Sequence, residues 1–247
     1  PLALREINAL HKGSETNTGH RLEESVGFPE CLEVLGTRLS ELGVSDPWSP
    51  QEEKLDGRKV ITCWGMASGF KNTGLGTGTE DSSGAILRLL PAGRLQIMTA
   101  ASEVGQGMNA TLELIAAEIL GISPENMNVY LMDTALTPDG GATTASRQTY
   151  VTGNAVKNAA SELRKRIEAM LAVKHGLEPS KMIFGEEFIK VDDRKIAWQD
   201  VYDLLEKSPE GTSVEVRYSA PQTYSLEVGG KIHVAYGFAA QAVQIAI

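Results

Sequence analysis

Residues 95–120, LQIMTAASEVGQGMNATLELIAAEIL, decide how this chain is read. The apolar run Leu95 to Thr99 reads as a strand. It enters a tight polar turn, Glu103-Val104-Gly105-Gln106-Gly107, and a helix is expected at once from about Met108 to Leu120. Leu112, Ile115, Ala116 and Ile119 recur at three- and four-residue steps and form one buried stripe, and Gly121 suits the stop. A glutamine held between two glycines is the unusual feature. Glycines allow positive φ and close approach of a ligand to the backbone. The turn delivers the chain to a helix N-terminus, whose unpaired N–H groups and partial positive charge favour anions. The Gln106 amide can both donate and accept, so it can orient an oxygen-rich group. A plain strand-to-helix turn with a solvated Gln106 explains the same residues.

A second polar loop lies at residues 140–155, GGATTASRQTYVTGNA. Thr143, Thr144, Ser146 and Gln148 stand close together ahead of a long helix expected from about Tyr150 to His175. Hydroxyls and amides at a helix start suit phosphate oxygens, while Arg147 suits a phosphate or a surface carboxylate. Ser/Thr capping is the simpler alternative. A loop of this length without secondary structure is more often functional than idle, so two such loops point to one extended polyanionic ligand. A third glycine-rich run, Gly74-Leu75-Gly76-Thr77-Gly78, lacks the third glycine and following helix of a dinucleotide fingerprint, and reads as a loop or bulge. Glu103 and Asp133 flank the polar loops without an evident side-chain partner. His11, His20, His175 and His233 are scattered and read as structural or solvated.

Outward from these loops, residues 1–21 read as polar loop and 22–43 as a helix with Val26, Cys31, Leu32, Leu35 and Leu39 on one face. Residues 45–57 read as a connection or short surface helix. A strand is expected from Lys59 to about Ser68, then a hairpin around Pro91-Ala92-Gly93. A turn and strand follow at 123–133, a small hairpin around Asp192-Asp193, a short helix at 198–206, and strands at 214–219 and from about Lys231. Val243, Ile245 and Ile247 alternate to the last residue, so the sequence reads as a piece of a longer protein. Hairpins mixed with strand–helix units predict an α+β, mixed-sheet fold of helix-on-sheet layers. The expected division is a helical and loop segment at 1–57 and an α+β lobe at 58–247.

Composition narrows the function classes. The 247 residues are 42% hydrophobic and 22% charged, as in a globular chain, with a net charge of −9. The short basic run Arg164-Lys165-Arg166 is a solvated helix face, not the basic footprint of a nucleic-acid binder. No apolar run approaches the ~18 residues of a membrane span. The two cysteines, Cys31 and Cys63, make no disulfide framework, and a cytoplasmic setting fits.

The segments EVGQG (103–107), AAEILGI (116–122) and DTALTPDGGATTASRQTYVTGNAV (133–156) together resemble the molybdenum-binding subunit of the xanthine dehydrogenase and aldehyde oxidase family. GFKNTGLGTGTEDSSGAILRL (69–89) is similar to its bacterial xanthine-dehydrogenase-like branch, and Arg5, Asn8, Thr18 and Gly19 to the segment before it. The resemblance runs from about residue 5 to Ile247. It implies a molybdopterin cofactor, in bacterial members often the cytosine dinucleotide form, with molybdenum. By this resemblance Gly105, Gln106 and Gly107 lie near the molybdenum and pterin, and Thr143, Thr144, Ala145, Ser146 and Gln148 wrap the pterin and its phosphates. It implies hydroxylation of an N-heterocycle such as a purine, or of an aldehyde, with 2Fe-2S and FAD groups on partner subunits or domains. The glutamate base of the family is expected downstream of this chain. No catalytic residue and no side-chain metal ligand is therefore assigned here, and these residues alone are expected to be inactive. A non-catalytic phosphate- or nucleotide-binding module, or a subunit-interaction module, is the alternative.

Overall fold

The computed structural model describes residues 1–43 and 48–247. They fall into two compact units, Pro1–Thr79 with Gln222–Ile247, and Glu80–Pro221. This grouping differs from the expected division at 57/58. The reason is a long-range ladder: β2 (Arg58–Thr73) pairs antiparallel with β10 (Ala235–Ala246), from Thr73↔Ala235 to Thr62↔Ala246.

The first unit holds α1 (Leu2–Ile7), α2 (Phe28–Glu41) and a three-stranded sheet ordered β1-β2-β10, with β1 at Gln51–Leu55. Leu32 and Leu39 of α2 are buried, and Phe28 lies against Phe238 of β10. Three local expectations are corrected here. Residues 2–7, read as loop, are helical. Residues 51–55, read as connection or helix, form a strand; its QEEKL side chains are all exposed, so no alternation of burial marks it. The strand read as ending near Ser68 continues to Thr73, because β10 supplies hydrogen-bond partners that far. Part of the 45–57 connection lies outside the described residues.

The second unit carries the main core. Its four-stranded sheet has the order β5-β4-β3-β9, with β3 at Ser82–Leu89, β4 at Leu95–Thr99, β5 at Met127–Leu131 and β9 at Ser213–Ser219. β3 pairs antiparallel with β4 and β9, whereas β4 and β5 are parallel and joined through α3 (Met108–Leu120). The sheet is therefore mixed, as expected, and the α+β class holds. α4 (Gln148–His175) packs beside α3 on this sheet, with Val156, Leu163, Ile167 and Leu171 fully buried. Each such aliphatic side chain stabilises the fold by roughly 1.5–3 kcal/mol relative to exposure. Gly153 lets the helices approach, since a Cβ there would lie 3.0 Å from Ile115 Cδ1. A small sheet, β6 (Met182–Phe184), β7 (Phe188–Val191) and β8 (Arg194–Ala197), and α5 (Trp198–Glu206) complete the unit.

Among the described residues β10 pairs only with β2, and Val243 and Ile245 on it are exposed. An unprotected apolar edge invites strand pairing. Residues 1–247 expressed alone should gain mass with concentration in light scattering, and Val243→Lys should reduce that gain. A wild-type monomer at every concentration would contradict this.

Candidate functional site

The turn before α3 is built around one carboxylate. Glu103 Oε1 accepts the N–H groups of Gly105 (2.8 Å) and Gly107 (3.1 Å). Its Oε2 accepts those of Met108 (2.5 Å) and Asn109 (3.3 Å). Gly105 and Gly107 take φ of 98° and 78°, the left-handed region that glycine adopts without a Cβ clash. Gln106 folds back over the same turn: its Oε1 accepts the Val104 N–H at 2.7 Å and its Nε2 donates to Ser102 O at 2.8 Å. The anion expected at this helix start is therefore internal. Burial pushes the Glu103 carboxyl up, but the backbone donors of Gly105, Gly107, Asn109 and Met108 together outweigh it and hold the group below its ordinary value. The missed signal was an acid just ahead of a helix, where a carboxylate meets the dipole favourably.

The second loop is pinned from beneath by Arg147, which is 1% exposed. Its Nε donates to Asp81 Oδ1 at 2.6 Å. Its terminal nitrogens donate to the carbonyls of Gly140 (2.8 Å), Ala142 (2.7 Å) and Ser82 (2.7 Å). The expectation of a phosphate or a surface carboxylate is corrected: the guanidinium fork is committed to a buried acid and three carbonyls. A planar fork with several donors suits this bracing role.

A hydrogen-bonded chain ties the two loops together. Thr143 Oγ1 accepts the Ser102 N–H at 2.8 Å and a proton from Gln148 Nε2 at 2.7 Å. Gln148 Oε1 accepts from the Thr152 hydroxyl, which meets Ser83 Oγ at 2.9 Å. Two donors fill the Thr143 oxygen, so its own proton remains for an outside acceptor. Gln148, expected to face a ligand, is buried and acts as this strut. Asp133 caps its own turn, accepting the Ala135 N–H at 2.9 Å.

These contacts form a cleft of about 380 Å³. Val104, Gln106, Met108 and Thr111 line one side and residues 143–149 the other. The structure thus brings Gln106, Thr143, Thr144, Ala145, Ser146 and Gln148 to one cleft, while Gly105 and Gly107 shape the turn without lining it. Ala145 and Ser146 take φ of 51° and 52°, turning this short stretch of loop left-handed. Thr144 and Ser146 are exposed.

A mixed sheet with α3 and α4 laid on it, and a cleft between two loops that each open a helix, define an α+β cofactor-binding domain. The chain belongs to the molybdopterin cofactor-binding domain family, which matches residues 42–247. Its sequence is 30% identical over 183 residues to a Bacillus subtilis protein named as a probable xanthine dehydrogenase subunit, covering 74% of this chain and 24% of that one. It is 29% identical over 171 residues to an aldehyde oxidoreductase of Megalodesulfovibrio gigas, covering 68% and 18%. The chain therefore spans about a quarter or less of the length of these relatives. The fold matches quinoline 2-oxidoreductase from Pseudomonas putida 86 with a TM-score of 0.67 at 17% identity, over all of this chain and 32% of that one. It matches the aldehyde oxidoreductase of Desulfovibrio desulfuricans with a TM-score of 0.65 at 22% identity, over all of this chain and 24% of that one.

Two outcomes follow. Removing the Arg147 head group strands a buried carboxylate, so Arg147→Met should lower unfolding free energy by about 3–5 kcal/mol in urea denaturation; an unchanged midpoint would contradict the bracing role. Glu103 has a depressed folded pKa, so its stabilisation is present above its ordinary value of 4.5 and is lost as pH falls below it through the folded value. Melting temperature of wild type should fall more steeply over that acid range than that of Glu103→Gln, and parallel profiles would count against it.

Proposed function

We propose that the cleft between the 103–108 turn and the 143–149 loop is one wall of the molybdopterin site of a molybdenum hydroxylase. The observation that carries this reading is the Thr143 hydroxyl, whose oxygen is filled by Ser102 N–H and Gln148 Nε2 and whose proton is left for an acceptor beside the cleft. The residues fit the organic part of such a cofactor. Thr143, Thr144, Ser146 and Thr149 offer hydroxyls on one side, and the exposed Val104 offers apolar surface on the other. Hydroxyls suit phosphate and pterin oxygens, and apolar surface suits a flat ring system. When bound, the cofactor supplies the redox chemistry of hydroxylation.

The protein residues hold, orient and shield. Thr143 donates to a cofactor oxygen, Gln148 and Ser102 fix Thr143, and Arg147 keeps the loop backbone in place. Gly105 and Gly107 keep the turn low, and Gln106 presents its amide edge at the cleft. In this reading the substrate is an N-heterocycle such as a purine, or an aldehyde, in keeping with the names of the relatives. The catalytic base, the iron–sulfur and flavin groups and the electron acceptor lie on other segments or subunits. The cofactor is the cytosine dinucleotide form, the setting is cytoplasmic, and residues 1–247 alone do not turn over substrate.

Thr143→Val in the intact protein should weaken cofactor retention roughly tenfold, the size of a lost hydrogen bond to a charged group. Thr143→Ser should keep it. Molybdenum and pterin assays of the purified variants measure this. Equal contents in Thr143→Val and wild type would overturn the reading. Pterin or nucleotide without molybdenum in a matured wild type would favour the phosphate-binding module instead.

A further inference from the structure

Gln148 and Thr152 stand four residues apart at the start of α4, so their side chains share one face of the helix. Beneath that face lies Ser83 of β3. Gln148 is buried, and Thr152 and Ser83 are both sealed from solvent. A threonine in a helix ordinarily turns its hydroxyl onto the backbone carbonyl four residues back. Thr152 instead donates to the side-chain Oε1 of Gln148. Neither Thr152 nor Ser83 lines the cleft.

The direction of every bond in this chain follows from proton counting. A hydroxyl carries one proton. That of Thr152 is spent on Gln148, so Ser83 is the donor in its 2.9 Å contact with Thr152 Oγ1. With Oε1 held by Thr152, the Gln148 amide presents Nε2 at its other end. Nε2 donates to Thr143 Oγ1 at 2.7 Å and to Ala142 O at 3.4 Å. The donors Ser83, Thr152 and Gln148 therefore run head to tail, an arrangement in which each bond polarises the next. The Thr143 proton is what the chain leaves over at the cleft.

Turning the Gln148 amide over would reverse that outcome. Oε1 would then face Thr143 and draw its proton inward, and the cleft would lose its donor. Ala142 O opposes the turn only through the long 3.4 Å contact, since its closer partner is Arg147 at 2.7 Å. Without the Thr152 proton, Oε1 has no donor in a place water does not reach, and it gains one only by taking the proton of Thr143.

We propose that Thr152 is a positioning residue of the cleft: through the Gln148 amide, its buried hydroxyl sets the direction in which Thr143 donates. This rests on the reading of the cleft as a molybdopterin site, in which the Thr143 proton meets a cofactor oxygen.

The test is a double-mutant cycle on the intact protein, read as the rate at which pterin and molybdenum leave it on dialysis. Thr152→Val should speed the loss about threefold or more, the size of one hydrogen bond. Thr152→Ser, which restores the hydroxyl, should stay within about twofold of wild type. In a Thr143→Val background, Thr152→Val should add less than about twofold, because a residue acting through Thr143 has nothing left to act on. Independent effects that multiply in the double variant, a serine variant as leaky as valine, or a wild-type rate in Thr152→Val beside a faster Thr143→Val would overturn the positioning role and leave the cofactor site standing. A wild-type rate in Thr143→Val would overturn the site reading itself, and this inference with it. Thr152→Ala, which adds no bulk to the core, carries the same comparison should the valine variant fail to fold.

Discussion

The buried guanidinium of Arg147 is the contact on which the candidate site depends. It sits at the start of α4, 1% exposed, and joins β3 to the loop above it through the buried carboxylate of Asp81 and the carbonyls of Ser82, Gly140 and Ala142. A loop backbone that turns inward must find partners for its carbonyls, since leaving one unpaired away from water costs about 1–3 kcal/mol. Arg147 supplies two of those partners at once. With residues 140–142 held, Thr143 is set over Ser102, and Gln148 reaches Thr143 from the first turn of α4. The hydroxyls along the cleft are thus displayed on a braced support. Bracing of that kind suits a site that must hold a ligand in one orientation.

The opposite wall is stabilised by a different device. Four backbone N–H groups converge on the Glu103 carboxylate, so the turn carries its own counter-charge. This changes what the glycines mean. Gly105 and Gly107 take positive φ so that the chain can wrap one side chain, and the turn is already complete without an outside anion. Gln106 is then presented from a closed turn, with its amide nitrogen and oxygen engaged by Ser102 and Val104. The free donor beside the cleft is on the Thr143 side, which shifts the weight of ligand binding toward the second loop.

Much of the fold is legible in the sequence because local signals agree with tertiary structure. α3 has the bounds expected from its stripe, with left-handed glycines on both sides, Gly107 at φ 78° and Gly121 at φ 69°. The same holds for α5, whose bounds of 198–206 match the expected short helix. The departures come where the deciding partner is distant or the signal is polar. β1 is a fully exposed strand, QEEKL, that pairs with β2 alone among the described residues, and the last five residues of β2 depend on β10, more than 150 positions away. Within the site, the choice of loops is legible from hydroxyls and glycines. The roles are less so: Arg147 reads as a surface cation until Asp81 is seen beneath it, and Gln148 reads as ligand-facing until Thr152 and Thr143 claim its amide. Side-chain partners across 66 residues, as for Arg147 and Asp81, leave no periodic trace in a sequence.

The most direct measurement is the structure of the intact protein with its molybdopterin bound. Hydrogen-bond distances from the cofactor oxygens to Thr143 Oγ1, and the position of the ring system against Val104 and Gln106, are the quantities to read. The account predicts a cofactor oxygen within about 3 Å of Thr143 Oγ1, with Arg147 still on Asp81 and Glu103 still on its four backbone donors. A cofactor seated away from this cleft, with residues 143–149 touching only protein or water, would contradict it.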